Sequence, residues 1–322
     1  MLAALYAWII QNAAELTAAT LAVAASTSIF NLLHFVARAR DSIVPYNVAV
    51  LGLPRSGKTT LITSLFQVIF FHKFFGDRLL LRGPETIDRV NRDIETIKLG
   101  KALGPTTDQD MFAYRADIKR SSWLRNVTYR IAIGDFAGER SAELMEQRDD
   151  VRLHQTTFFR WVMEADAFIF VIDVAAYLRD GAAYVARVES EFRSAWQHLA
   201  EFHVVGGKAI KHKPVALVLN KCDVLVHSSD FDDVRVAKDY TQADNMQDVW
   251  RLGFGDETPP VVRLDTIGTQ VIREFALSNF KPLVEYFAGQ SAYFKVFPVS
   301  SFALVGEKPL GVEELAVFVL PG

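Results

Sequence analysis

The chain has 322 residues, of which 50% are hydrophobic and 23% are charged. This composition excludes a disordered chain, which would be poor in apolar side chains. Cys222 is the only cysteine, which excludes a disulfide framework within the chain. The 35 basic and 38 acidic residues give a formal net charge of −3, so no basic excess indicates a nucleic-acid partner.

The N-terminal region, residues 1–40, differs in composition from the rest. No charged side chain occurs between residues 16 and 37, and Arg38 and Arg40 follow directly. As a helix this stretch would be about 33 Å long, enough to cross a hydrocarbon core of about 30 Å. Basic residues prefer the cytoplasmic flank. The pattern predicts a single-pass membrane anchor with the remaining chain in the cytoplasm. The abundance of Ala, Ser and Thr leaves open a helix packed on a partner or lying along a membrane surface.

From residue 45 to residue 322 the pattern is that of one domain in which strands and helices alternate. Short apolar runs predict strands at 47–51, 111–119, 127–133, 167–174, 215–219 and 293–299. Helical patterns occupy 59–71, 85–100, 182–202, 266–288 and 312–318. The alternation predicts an α/β fold, a three-layer α/β/α sandwich around a mainly parallel sheet. Helical insertions are expected near 72–105 and 224–265.

The first motif, GLPRSGKT at residues 52–59, matches G-x-x-x-x-G-K-[ST] in full and lies between a predicted strand and a predicted helix. It predicts a P-loop NTPase fold. Lys58 would reach the β- and γ-phosphates, facing solvent when no phosphate is bound, and Thr59 would bind Mg²⁺. The expected nucleotide-binding residues in this segment are Gly52, Leu53, Pro54, Arg55, Ser56, Gly57, Lys58, Thr59 and Thr60.

The second motif, Asp135-Phe-Ala-Gly138-Glu139, follows the strand predicted at 127–133. A carboxylate at a strand end can hold the Mg²⁺ shell, and the N–H of Gly138 can reach a γ-phosphate. On its own this short motif is more often an ordinary turn, so its weight comes from its position after the P-loop.

The third motif, Asn220-Lys221-Cys-Asp223, follows the strand predicted at 215–219. With it the chain resembles the Ras-like P-loop GTPases. The resemblance implies that Asp223 reads guanine, that Asn220 and Lys221 build the base pocket, and that the ligands are GTP or GDP with Mg²⁺. Pro298-Val-Ser300-Ser301 resembles the family's last base-binding loop, usually Ser-Ala-x, so Ser301 departs from the family pattern.

Members of that family close a switch threonine on the metal and the γ-phosphate. Thr106 and Thr107, which precede the strand predicted at 111–119, are the expected counterparts, and Thr86 is the alternative. Asp173 ends another predicted strand and is expected to cap the structure that follows it.

Two residues bear on hydrolysis. Glu139 stands where Ras-like proteins carry the Gln that orients the attacking water, although it could equally be a solvated helix cap. Arg55 occupies the position of an arginine in the loops of guanylate-binding proteins and atlastins, where it acts as an internal arginine finger, often on dimerisation. The alternative is an Arg55 side chain that points to solvent.

The resemblance therefore implies a membrane-anchored GTPase that works as a molecular switch. Arg55, Glu139 and Lys58 are the expected catalytic residues, and a protein effector, a partner subunit or a nucleotide-dependent dimer is the expected partner. The alternative function is a GTP-binding scaffold with little or no hydrolysis.

Overall fold

The computed structural model describes residues 11–13, 17–18, 20–32, 42–71, 79–98, 103, 112–121, 126–135, 161–205, 210–226, 262–263, 275, 278–305 and 308–321. The chain divides into two compact units. One comprises Met1–Val44 with Lys119–Tyr129, and the other comprises Pro45–Ile118 with Arg130–Gly322.

In the first unit, residues 20–32 are helical and their side chains are exposed. Leu21 is 70% exposed and Phe30 is 51% exposed. The Ser26 hydroxyl donates a hydrogen bond to the carbonyl oxygen of Ala22, one turn earlier, at 2.6 Å. Within the described parts of the chain, no helix combines the length and hydropathy needed to cross a bilayer. Residues 11–13 and 17–18 are also helical, and the other residues of the predicted anchor lie outside the described residues.

The strands and helices follow one another in the order expected of an α/β protein. The strands are β1 (Ser42–Gly52), β2 (Leu79–Leu81), β3 (Phe112–Ser121), β4 (Asn126–Asp135), β5 (Ala167–Asp173), β6 (Val215–Asn220), β7 (Val262–Arg263), β8 (Phe294–Pro298), β9 (Ser300–Val305) and β10 (Lys308–Leu310). The helices are α1 (Lys58–Phe71), α2 (Pro84–Lys98), α3 (Val174–Asp180), α4 (Ala182–Val205), α5 (Asp223–Val226), α6 (Lys281–Gln290) and α7 (Val312–Val319).

Within the described ranges, seven strands form the main sheet, in the order β2-β3-β4-β1-β5-β6-β8. β1, β5, β6 and β8 are parallel to one another, whereas β2 pairs antiparallel with β3. A second sheet has the order β10-β9-β7. The prediction of an α/β fold with a mainly parallel sheet is confirmed.

Helices cover both faces of the central strands, which explains why those strands are apolar throughout. Every residue of β5 is buried, and so is every residue of β6. On one face Phe170 packs against Phe192 of α4, with 5.1 Å between the ring centroids. On the other face α7 contacts β5 and β6. Strands buried on both faces have no polar face to alternate with, so they appear as continuous apolar runs.

This arrangement brings the carboxyl ends of β1, β5 and β6 to the same edge of the sheet, because the three strands are parallel neighbours. In open α/β sheets ligands bind at that edge, where the connecting loops diverge. The P-loop follows β1 there, Asp173 ends β5 there, and the Asn220–Asp223 motif follows β6 there.

The end of the domain differs from expectation. Ser300 was expected in a base-binding loop, but it is the first residue of β9. Only Val299 separates it from the end of β8. β9 pairs with β7 and β10 in the second sheet. Neither β9 nor β10 was predicted from the sequence, although β10 follows β9 closely and pairs antiparallel with it.

Candidate functional site

The P-loop is a tight turn between β1 and α1. Arg55 has φ of 62° and Gly57 has φ of 81°, so the backbone enters the left-handed region twice within three residues. Gly52 leaves room for the turn, since a Cβ atom there would lie 2.9 Å from both the Ser56 hydroxyl and the carbonyl oxygen of Val171. The sequence therefore requires a backbone that wraps closely, as phosphate-binding loops do.

Ser56 supplies an observation that favours a ligand at this loop. Its side chain is completely buried, and within the described residues its hydroxyl has no hydrogen-bond partner. A buried polar group without a partner costs free energy unless something satisfies it. The loop fits a ligand that carries hydrogen-bonding oxygens, such as a phosphate.

Lys58 is placed differently from expectation. Its side chain is only 6% exposed, and its ammonium group donates to the carbonyl oxygens of Gly52 and Leu53, both at 3.0 Å. The expectation that it faces solvent is wrong. The loop curls around the lysine because its strand-end carbonyl groups need a donor, and the ammonium group supplies one. The positive charge of Lys58 therefore already lies inside the loop.

The predicted metal ligands come together. The Thr59 hydroxyl, in the first turn of α1, lies 3.1 Å from each carboxylate oxygen of Asp135 at the end of β4. Mg²⁺ binds oxygen ligands at about 2.1 Å in an octahedron, whose edge is then about 3.0 Å. The separation and the chemistry of these oxygens fit a magnesium ion, which Thr59 and Asp135 would hold.

Arg89 is a neighbour of that carboxylate that no motif contains. It lies on α2, and its guanidinium nitrogen Nη2 is 3.4 Å from Asp135 Oδ2. The Arg89 side chain is 24% exposed, whereas that of Asp135 is completely buried. A cation from the predicted insertion at 72–105 thus reaches the candidate metal site.

Arg89 is held from several sides. Its guanidinium carbon lies 4.4 Å from the ring centroid of Phe112, and its Nε is 3.7 Å from Asp93, one turn later on α2. The Tyr114 hydroxyl also donates to Asp93, at 3.1 Å. Burial raises the pKa of Tyr114, and the Asp135 charge raises it further, so the phenol stays protonated. Desolvation also raises the pKa of Asp93, against the opposing effects of Tyr114 and Arg89.

The base-binding motif is tied to the P-loop. The side-chain amide of Asn220 donates to the carbonyl oxygens of Ser56 at 2.9 Å and Gly57 at 3.3 Å. Asp223 is 3% exposed, and the Ser300 hydroxyl donates to its Oδ1 at 2.5 Å. Asn220, Asp223 and Ser300 are therefore fixed by contacts within the protein.

Lys221 joins three segments. With φ of 62°, its backbone turns sharply after β6. Its ammonium group lies 2.7 Å from Asp173 Oδ2 at the end of β5 and 3.1 Å from the carbonyl oxygen of Arg55. The other oxygen of Asp173 accepts a hydrogen bond from the backbone N–H of Ala176, which caps α3. Asp173 is thus a helix cap, as expected, and a partner of Lys221 as well.

The remaining predicted residues are scattered. The Ser301 hydroxyl contacts that of Ser64 on α1 at 2.6 Å, away from Asp223. Pro54 and Thr60 are half-buried, and the Arg55 side chain is exposed. Thr86 is buried in the first turn of α2. Thr106, Thr107, Gly138 and Glu139 lie outside the described residues.

Two contacts in the candidate site were not predicted from the sequence patterns. Arg89 has no motif, and its only local signal is the pair it forms with Asp93, four residues later on a polar helix. The pairing of Asp173 with Lys221 depends on β5 and β6 being neighbours, with Asp173 opposite Asn220. Only knowledge of the strand order could have indicated the contact between Asp173 and Lys221.

The fold and the site together define a P-loop GTPase. The Double-GTPase 2 family matches residues 47–251, which is more than half of the chain. The chain therefore belongs to the Double-GTPase 2 family.

No match was found among curated protein sequences. Among solved structures, the chain is similar to Roco2 RocCORdC of Methanosarcina barkeri, a protein bound to GDP, with a TM-score of 0.32 and 13% identity. The similarity covers 86% of this chain and 48% of that one, so this chain spans about half the length of the solved protein.

Proposed function

We propose that this protein binds GTP and GDP with Mg²⁺ and hydrolyses GTP as a molecular switch. The observation that carries the proposal is the meeting of three motifs at one sheet edge. Asn220, at the end of β6, bonds to the P-loop carbonyl groups, and Thr59, which follows that loop, bonds to Asp135 at the end of β4. A single motif can occur by chance, but the contact of three such motifs at one sheet edge is specific to nucleotide recognition.

On the phosphate side, the P-loop residues supply the positive charge and the shape. The Lys58 ammonium group lies within the curl of the loop, where the α1 N-terminus adds further positive potential. Thr59 and Asp135 would hold Mg²⁺, which when bound neutralises charge on the phosphate oxygens. The buried hydroxyl of Ser56 gains a partner when a phosphate oxygen enters.

On the base side, Asp223 is the specificity residue. Its carboxylate is held by Ser300 and is nearly inaccessible to water, so its remaining acceptor positions have fixed directions. A guanine base offers two N–H donors to such a carboxylate and adenine does not. A buried acceptor rejects a base that leaves it unpaired.

For hydrolysis we propose Arg55 and Glu139 as the catalytic groups. The Arg55 side chain projects from the left-handed position of the loop, two residues before Gly57, and is exposed. A guanidinium group can hold two phosphate oxygens at once and stabilise the charge that develops on them. GTP binding without any turnover would identify a scaffold instead of a switch.

The test of the nucleotide assignment is Asp223→Asn. An amide keeps one acceptor oxygen for Ser300 but loses the paired acceptors that guanine requires. Affinity for GDP should fall at least about tenfold, the loss expected for hydrogen bonds to a charged group. Xanthosine diphosphate, whose base has the complementary pattern, should bind to the variant. The measurement is equilibrium titration with fluorescent nucleotides.

Asp166→Asn is the matched control for that test. Asp166 precedes β5 at the opposite end of the strand, and its carboxylate accepts a hydrogen bond from the backbone N–H of Asn47 at 2.9 Å. The amide can keep that bond, so nucleotide affinity should not change. Equal affinity of the unmodified protein for ATP and GTP would refute the guanine assignment.

We also propose that the N-terminal segment attaches the protein to a membrane, with the GTPase domain in the cytoplasm. The support is the charge-free stretch at residues 16–37 and the exposed apolar side chains of the helix at 20–32. Full-length protein should fractionate with membranes and resist carbonate extraction, and a chain lacking residues 1–40 should not. Full-length protein that remains in the soluble fraction would contradict the proposal. An effector or partner subunit then belongs on the same membrane.

A further inference from the structure

A cation that contacts a candidate magnesium ligand belongs to the insertion and not to a motif. Arg89 reaches Asp135 Oδ2 from α2, and the Thr59 hydroxyl bonds to that same oxygen. The carboxylate that would bind the metal is therefore already shared between a hydroxyl group and a guanidinium group.

Arg89 also has a second acidic partner within reach. Asp93 lies 3.7 Å from its Nε, while Asp135 lies 3.4 Å from its Nη2. The Phe112 ring supports the guanidinium group at 4.4 Å, and the Tyr114 hydroxyl fixes Asp93. The arginine thus lies between two carboxylates, one at the metal site and one on its own helix.

The charges make simultaneous occupation unfavourable. A magnesium ion on Asp135 would place two positive charges beside a guanidinium group a few ångströms away, and like charges at such separation repel strongly where solvent is scarce. Arg89 can relieve the repulsion by breaking its contact with Asp135 and keeping its contact with Asp93. When the metal leaves, Arg89 forms the contact with Asp135 again.

We propose that Arg89 is a positioning residue that competes with Mg²⁺ for Asp135, so that helix α2 sets the magnesium dependence of nucleotide binding. The inference rests on the proposed function, because it assigns a regulator to the same site. Its consequence is that α2 adopts one set of contacts with metal bound and another without it. A partner that binds α2 would alter metal affinity, and metal binding would alter the partner's affinity equally.

The experiment measures the Mg²⁺ concentration that gives half-maximal binding of fluorescent GDP to the full-length protein at constant ionic strength. Arg89→Gln removes the charge but keeps a hydrogen-bond donor and the helix propensity. It should lower the half-maximal Mg²⁺ concentration at least about fivefold, the low end of ordinary coupling between neighbouring ligands. Arg89→Lys, which keeps the charge, should stay close to the unmodified protein.

Asp93→Asn should shift the half-maximal Mg²⁺ concentration in the opposite direction. It removes the charge that draws Arg89 away from Asp135, while its amide oxygen can still accept the bond from Tyr114. The half-maximal Mg²⁺ concentration should therefore rise. A purely structural role of the cluster would move both variants in the same direction, because either change would loosen the same contacts.

Glu95→Gln is the control for loss of a charge on the same helix, since Glu95 is exposed. It should leave the Mg²⁺ dependence unchanged. An unchanged or raised Mg²⁺ requirement in a folded Arg89→Gln protein, verified by thermal melting, overturns the inference alone. Absence of GDP binding by the unmodified protein at every Mg²⁺ concentration overturns the proposed function and the inference together.

Discussion

The two halves of the candidate site are constructed differently: the base side, which contains the Asn220–Asp223 motif, and the metal side, which contains Thr59 and Asp135. On the base side, Asn220, Lys221 and Asp223 each contact another strand end or loop of the domain through bonds of 2.5–3.3 Å. On the metal side, the carboxylate of Asp135 bonds to Thr59 of the P-loop helix and also to Arg89 of the inserted helix α2. The first side joins motif residues to one another and to Asp173 at the end of β5, and the second recruits an arginine from the inserted helix α2.

The difference teaches which part of the site can be regulated. Residues at the ends of adjacent strands are held here by several hydrogen bonds at once, so the base side is preorganised. Arg89 lies beside two carboxylates, and under the proposed competition with Mg²⁺ it keeps Asp93 while it releases Asp135, which makes it a two-state element. Regulation is expected on the metal side, and base specificity is expected to be insensitive to it.

Arg55 gives the largest expected effect and tests whether catalysis belongs to the loop that joins the two sides. Arg55→Ala should lower the GTP hydrolysis rate at least about a hundredfold, since arginine fingers contribute more than that in other GTPases. GTP affinity should stay within a few-fold, because the contact is made mainly in the transition state. Single-turnover hydrolysis and equilibrium binding separate the two.

Two further substitutions at Arg55 control for the backbone. Its φ of 62° suits glycine, so Arg55→Gly removes the side chain while relaxing the loop. It should be as slow as the alanine variant if the guanidinium group matters. Arg55→Lys should recover little of the hydrolysis rate, because an ammonium group cannot reproduce the planar arrangement of donors in a guanidinium group. Hydrolysis at the parent rate in the alanine and glycine variants would eliminate the finger.

Gly57→Ala has the next largest expected effect, because it disturbs the contact between the P-loop and Asn220. A Cβ atom there would lie 2.6 Å from the amide nitrogen of Asn220. The clash should separate the base loop from the P-loop and weaken GDP binding about tenfold, or about 1.4 kcal/mol. Isothermal titration of the variant measures the loss.

Gly83→Ala is its control. Gly83 has a φ of 85°, close to that of Gly57, but nothing lies within 4 Å of the position of its Cβ atom. Both variants should lose about 1–2 kcal/mol of stability, since alanine is strained at positive φ. Only Gly57→Ala should lose nucleotide affinity. Equal affinity losses would mean that backbone strain, and not contact with Asn220, explains the effect.

Asp173→Asn is the smallest and sharpest change on the base side. Asparagine caps helices as well as aspartate does, so the bond to Ala176 can persist while the charge facing Lys221 is lost. GDP affinity should fall about threefold, within the range of a partly exposed ion pair. Asp180→Asn, which removes the surface partner of Arg179 on α3, should change nothing. An Asp173→Asn protein that binds GDP like the parent would reduce Asp173 to a helix cap.

The sequence was sufficient to predict the parts of the fold that depend on local pattern. β5 and β6 are continuous apolar runs, α2 is a polar helix with one buried face, and all three were predicted close to their observed bounds. The P-loop and the Asn220–Asp223 motif were predicted because their residue types and spacing are dictated by the ligand. Family membership confirmed this class of protein.

The rest depends on tertiary contacts. The direction of the Lys58 side chain is set by carbonyl groups of a loop whose curl the sequence does not specify. Arg89 resembles any other arginine of α2 until α2 is placed beside β4. The sequence indicates that such residues are charged, but the partner of a charge is a property of the packing.

Ser300 and Ser301 are adjacent in β9, and the side chains of adjacent strand residues point to opposite faces. The Ser300 hydroxyl bonds to Asp223, and the Ser301 hydroxyl bonds to Ser64 on the helix that follows the P-loop. The peptide unit between the two serines therefore connects the Asn220–Asp223 motif to helix α1. A substitution at either serine is expected to weaken that connection, which a lower melting temperature would reveal.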